Sequence, residues 1–197
     1  MSNATALVAS ESPKGARFST AFDRQPRMAR LVRRFVSDFH DELVLGSVCS
    51  EGYASPQASR LSMAAHELVE NAITHAAEGE ASFSIEIGPD PEDPARRYRV
   101  EMKTRNRAVP GDHEAIDALL RALRAAADPF DVFLELMAST VKRTDGSGLG
   151  LARVWVEAQM DLACLVDGEQ LEITARASIV RDSEDTERDP SRGQAPS

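Results

Sequence analysis

Two stretches of strict alternation constrain this chain more than any other feature. In ASFSIEIG, residues 81–88, Phe83, Ile85 and Ile87 alternate with polar neighbours; in RYRVEMKT, residues 97–104, Tyr98, Val100 and Met102 do the same. A period of two puts one apolar face on each strand. The connection GPDPEDPAR is Pro- and Asp-rich and too short for a crossover helix, so the two strands pair as an antiparallel hairpin. The end of the domain repeats the arrangement, with DLACLVD and LEITARAS joined through Gly168-Glu169, and ARFSTAFD at 16–23 reads as a first strand. Strands in adjacent pairs, with helices grouped between them, predict an α+β fold. The expected architecture is a two-layer sandwich whose mostly antiparallel sheet is covered by helices on one face. A Rossmann pattern would alternate strand and helix one by one.

The helices follow from their spacing. Met28, Leu31, Val32, Phe35, Phe39 and Leu43 predict an amphipathic helix from Pro26 to Gly46. A loop, SEGYASP, leads to a second helix over Pro56–Ala77, with Leu61, Ala65, Leu68 and Ala72 on one stripe. NRAVPGD breaks regularity; helices are then expected over 112–127, from Asp128-Pro129 to Ser139, and after a Gly-rich loop at LARVWVEA. The run AIDALLRALRAAADPFDVFLELM is expected to pack in the core rather than form a partner groove. Residues 1–15 are expected as a flexible arm, 16–178 as the domain and 179–197 as a disordered acidic and polar tail.

With 197 residues the chain fits one domain, and a net charge of −9 argues against a nucleic-acid binder. Two cysteines, Cys49 and Cys164, form no CxxC pair, which fits a reducing cytoplasm. No apolar run long enough for a membrane span occurs, and the N-terminal stretch does not read as a signal peptide.

The densest chemistry lies in HELVENAITH, residues 66–75. A zinc-protease HExxH fails, because His66 is followed at i+4 by Glu70. Glu67, Asn71 and His75 follow at i, i+4 and i+8, along one helix stripe. A solvated face is the bland alternative. A carboxylate one turn from a carboxamide can instead accept a hydroxyl proton beside a neutral oxygen ligand for Mg²⁺. That chemistry needs a phosphate site, and TDGSGLGL at 144–151 offers one. Its glycines permit close backbone approach, a helix start follows, and Lys142 and Arg143 precede it. A flexible connector is the bland reading there. His40, His66 and His113 are expected to be surface or packing residues, and Trp155 core or interface.

Together, E-L-V-E-N-A-I-T-H-A and G-S-G-L-G-L resemble the GHKL, or Bergerat-fold, ATPase superfamily. The resemblance spans about residues 16–178 and is strongest to the bacterial anti-sigma-factor serine kinases and the divergent SiaB-like regulators of STAS-domain partners. It implies Glu67 as general base and Asn71 as the Mg²⁺ ligand. It implies Gly146, Gly148 and Gly150 along the triphosphate of ATP, and Lys142 to Ser147 in a lid. His75, Asn106, Lys142, Thr144, Ser147 and Leu149 complete the expected nucleotide contacts. The implied partner is a STAS-domain anti-anti-sigma-like protein, or a sigma factor or other response regulator; a homodimer is compatible. The family's adenine motif, D-x-G-x-G, is replaced by Asn106, Ala108 and Pro110, and a Gly-Thr pair by Gly168-Glu169. Weakened nucleotide affinity is expected. The implied function is an ATP-dependent serine/threonine protein kinase. The alternative is a catalytically inactive module of the same fold that sequesters a partner.

Overall fold

The structure is a computed structural model that describes residues 15–45, 55–77, 79–140 and 148–181. The expected α+β sandwich is present. Strands β1 (Ala16–Phe22), β2 (Ala81–Pro89), β3 (Arg97–Arg107), β4 (Asp161–Asp167) and β5 (Gln170–Val180) form one antiparallel sheet in the order β1-β2-β3-β5-β4. Five α-helices accompany it among the described residues: α1 (Arg27–His40), α2 (Pro56–Thr74), α3 (Asp112–Ala125), α4 (Pro129–Thr140) and α5 (Leu149–Val156).

Alternation places Phe83, Ile85 and Ile87 of β2, Val100 and Met102 of β3, and Leu171, Ile173 and Ala175 of β5 in the core, where they meet Leu61, Leu68 and Ala72 of α2. The opposite face carries paired charges: Arg176 Nε donates to Glu101 Oε2 at 2.6 Å, and Arg107 lies 2.9 Å from Glu169. Such a face needs no second layer.

Boundaries differ from expectation in β3, β5 and α1. The strand expected to end at Thr104 continues to Arg107, because β5 offers pairing partners as far as Gln170. β5 likewise runs two residues beyond the expected domain end, since Val180 still pairs with Arg97. The expected tail before Arg181 is therefore sheet. Finally, α1 does not run to Gly46 as one α-helix; it passes into a π-helical turn over Asp41–Leu45. There Asp41 Oδ1 accepts from the Ser55 hydroxyl at 3.2 Å and lies 3.0 Å from His40 Nδ1, and Ser55 also caps α2 by accepting from Ala58 N–H at 3.0 Å. Pro56 fills the first helical position, where its missing N–H costs nothing. The expected arm to residue 14 and the tail from residue 182 lie outside the described residues.

Candidate functional site

The site is built around the C-terminal half of α2. Buried Leu68, Val69, Ala72 and Ile73 anchor the helix on the sheet and leave Glu67 and Asn71 on its other side. The helix ends at Thr74, so His75 is not its next turn, as the spacing predicted, but its C-cap, with φ −102° and ψ 9°. The chain departs here because Ala76 bridges to Ala108 and Ala77 N–H bonds to Arg107 C=O at the end of β3. Arg24 closes the same end, its Nε donating to the Ile73 carbonyl at 3.0 Å.

A cavity of about 580 Å³ opens between α2, α3, α4 and α5. Asn71, His75 and Gly148 line it, so the structure brings three of the expected residues to one cavity. Asp112, Glu135 and Ser139 supply further polar groups, and Ile116, Leu119, Val132, Leu136 and Leu151 supply the apolar lining. His75 Nδ1 stands 3.3 Å from Asp112 Oδ2. The Asn71 side-chain nitrogen is buried and has no hydrogen-bond partner. Gly148, at φ +69°, holds the left-handed turn before α5, a conformation that disfavours a side chain.

Glu67 stands beside the cavity, against α5. Its side chain is only 12% exposed and its Oε1 accepts from Arg153 Nη1 at 2.5 Å. Arg153 also grips Glu157, from Nε at 3.1 Å and Nη2 at 3.2 Å. Burial raises the Glu67 carboxyl above its ordinary range, and Arg153 opposes that shift without cancelling it. The helix can approach this closely because residue 150 is glycine: a Cβ there would lie 2.6 Å from Glu67 Oε2.

Asn106 sits elsewhere. It is 1% exposed, within β3 opposite Leu171, and its amide nitrogen donates to Arg107 C=O at 3.2 Å and His75 C=O at 3.4 Å. It is not among the residues lining the cavity. Leu149 is the first residue of α5 and is half-buried against the core. Lys142, Thr144, Gly146 and Ser147 lie outside the described residues.

Sequence reasoning missed Arg153, Asp112 and Glu135. Asp112 had a signal: an acid in the first turn of a helix, directly after Pro110-Gly111. Arg153 had a weaker one, as the lone cation in an otherwise apolar helix. Among the other residues singled out, His40 is fully buried beside Asp41, and His66 Nε2 lies 3.5 Å from Glu70. Trp155 packs half-buried under Arg124. Among the described residues, no helix is long and apolar enough to cross a membrane.

No protein-family model and no curated protein matches this chain. Among solved structures it is similar to the SiaB–SiaC complex from Pseudomonas aeruginosa, at 13% sequence identity and a TM-score of 0.49, with 82% of this chain and 89% of that chain covered.

Proposed function

We propose that the protein is an ATP-dependent regulator that phosphorylates a serine or threonine of a STAS-type protein partner. The observation that carries this reading is the convergence of Asn71, His75 and Gly148 on one cavity, with Glu67 beside it. The cavity has the volume of a small-molecule site, roughly 300–1,000 Å³.

The residues present fit a magnesium nucleotide. Asn71 offers a side-chain amide whose nitrogen is unpartnered, and Gly148 precedes a helix start whose N–H groups suit an anion. Magnesium held at the Asn71 side-chain oxygen would offset phosphate charge. The carboxylates of Asp112 and Glu135 suit the donor groups of a base better than its phosphates, so the phosphates belong at the Gly148 end. In the transfer step the partner's hydroxyl oxygen attacks the γ-phosphorus. Its proton passes to the Glu67 carboxylate, and the bond from phosphorus to the bridging oxygen breaks, releasing ADP. Burial favours this role by raising the basicity of Glu67.

One observation favours the second reading, a binding module without turnover. Glu67 is ion-paired with Arg153 through Oε1, its Oε2 lies against Gly150, and it is not among the residues lining the cavity. Calorimetric titration with ATP and ADP, with and without Mg²⁺, tests the nucleotide. Asn71→Ala should abolish magnesium-dependent binding, whereas Glu67→Gln should keep it and stop transfer. Binding by wild type with no transfer to any STAS partner would establish the module instead. No binding at millimolar nucleotide would end the ATP reading.

A further inference from the structure

Helix α4 carries an apolar stripe that the fold does not use. Phe130, Leu134 and Met137 stand 46%, 43% and 40% exposed at i, i+4 and i+7, the spacing of one helix face. The sequence predicts packing for this whole segment; Phe133 obeys, and Val132 and Leu136 pack partly against the core, but these three do not. The stripe runs into a shallow groove of about 280 Å³ between the start of α4 and the end of α5, where Phe130, Trp155, Val156 and Met160 lie together. Exposed apolar clusters with aromatic anchors mark protein-binding surfaces.

The rim identifies the occupant. Asp128 and Asp161 border the groove, and Asp131 follows one edge of the stripe, about 100° around the helix from Phe130. None of these three carboxylates has an ion-pair partner among the described residues. The nearby cations are occupied: Arg124 Nη2 donates to Leu162 C=O at 2.6 Å with its guanidinium over Trp155, Arg60 donates to Gln159 Oε1 at 3.0 Å, and Arg176, opposite Asp161 in the sheet, donates to Glu101 at 2.6 Å. A second copy of this chain would bring acid rim against acid rim across a two-fold interface. We infer that the α4 stripe and the Trp155 groove receive a basic amphipathic helix of a partner protein. That helix presents aliphatic side chains at i, i+4 and i+7 between lysines or arginines. The surface requires no nucleotide, and the inference does not rest on the catalytic reading above.

Trp155 is the only tryptophan in the chain, so its fluorescence reports occupancy directly. The probe is a synthetic helical peptide with Leu at those positions and Lys elsewhere, titrated into the full chain without nucleotide; its counterpart replaces every Lys with Glu. The expected result is a saturable change in Trp155 emission with the Lys peptide, weakened by salt. Binding should fall by about tenfold or more with the Glu peptide, and again in Leu134→Ser/Met137→Ser. These side chains are exposed, so the variant should retain the wild-type circular dichroism spectrum. Equal affinity for both peptides, unchanged affinity in the variant, or no saturable change would overturn the proposal. So would sedimentation showing a wild-type dimer that the variant dissociates, which would assign the surface to a second copy.

Discussion

Arg153 Nη1 donates to Glu67 Oε1 at 2.5 Å, tying the candidate base on α2 to α5. The carboxyl nevertheless lies above its ordinary range because burial outweighs the arginine. A raised carboxyl contributes stability that is complete below its unfolded value and is lost as pH rises through its folded value. Arg153→Gln removes the opposing attraction and should raise the Glu67 carboxyl further. Its melting temperature should therefore fall furthest below wild type near neutral pH and least near about pH 4, where Glu67 is protonated in the variant. Thermal melts across pH check this; an equal deficit at every pH would dismiss the charge argument.

Gly150→Ala probes the same contact sterically. A methyl group 2.6 Å from Glu67 Oε2 must displace a carboxylate that Arg153 holds, at a cost of about 1 kcal/mol. In a Glu67→Ala background the obstacle is gone, and alanine should stabilise by about 0.5 kcal/mol through helix propensity. Denaturant titration of the four proteins gives the coupling. The same sign in both backgrounds would contradict it.

Asn106→Asp restores the acid of the family that the sequence resembles, and it should harm the protein. The amide nitrogen faces the carbonyls of His75 and Arg107, and a carboxylate there would meet two acceptors while almost fully buried. A loss of roughly 2–4 kcal/mol is expected by chemical denaturation, with no gain in nucleotide affinity. Unchanged stability would show that the amide contributes nothing.

The β2–β3 hairpin was legible because its strands alternate and their connection is short, whereas the pairing of β1 with β2 and of β3 with β5 spans helices and leaves no local signal. The true end of β3 was hidden because its last inward residues, Thr104 and Asn106, are polar and so conceal the period. Residues close in sequence, Asn71 and His75, reached one cavity, although the helix that should carry both stops before His75. Arg153 was illegible as a partner of Glu67, since no local pattern links residues on different helices. On α4, apolar residues fall on every side of the helix, so periodicity could not tell which face would stay outside.

Cys164 offers a chemical check on burial. Its thiol is pushed up to about 11, by desolvation first and then by Asp117. In a Cys49→Ser variant, alkylation at pH 8 should be slow, with only on the order of one thiolate in a thousand, and should accelerate steeply towards that value. Labelling at the rate of a free thiol would show the strand to be open.

Ser55→Ala removes both the cap of α2 and a partner of buried Asp41. A cost of about 1–2 kcal/mol is expected in denaturant titration, and Ser55→Asn should recover part of it. Full recovery by glycine would assign the effect to the backbone alone.

Helix α4 has one face in the cavity, through Val132, Glu135, Leu136 and Ser139, and the other at the surface, through Phe130, Leu134 and Met137. A single rigid wall with two sides has one position with which to answer both. Whatever occupies the cavity and shifts that wall must change affinity at the outer stripe. Thermodynamic reciprocity then requires an outer partner to change affinity in the cavity by the same factor.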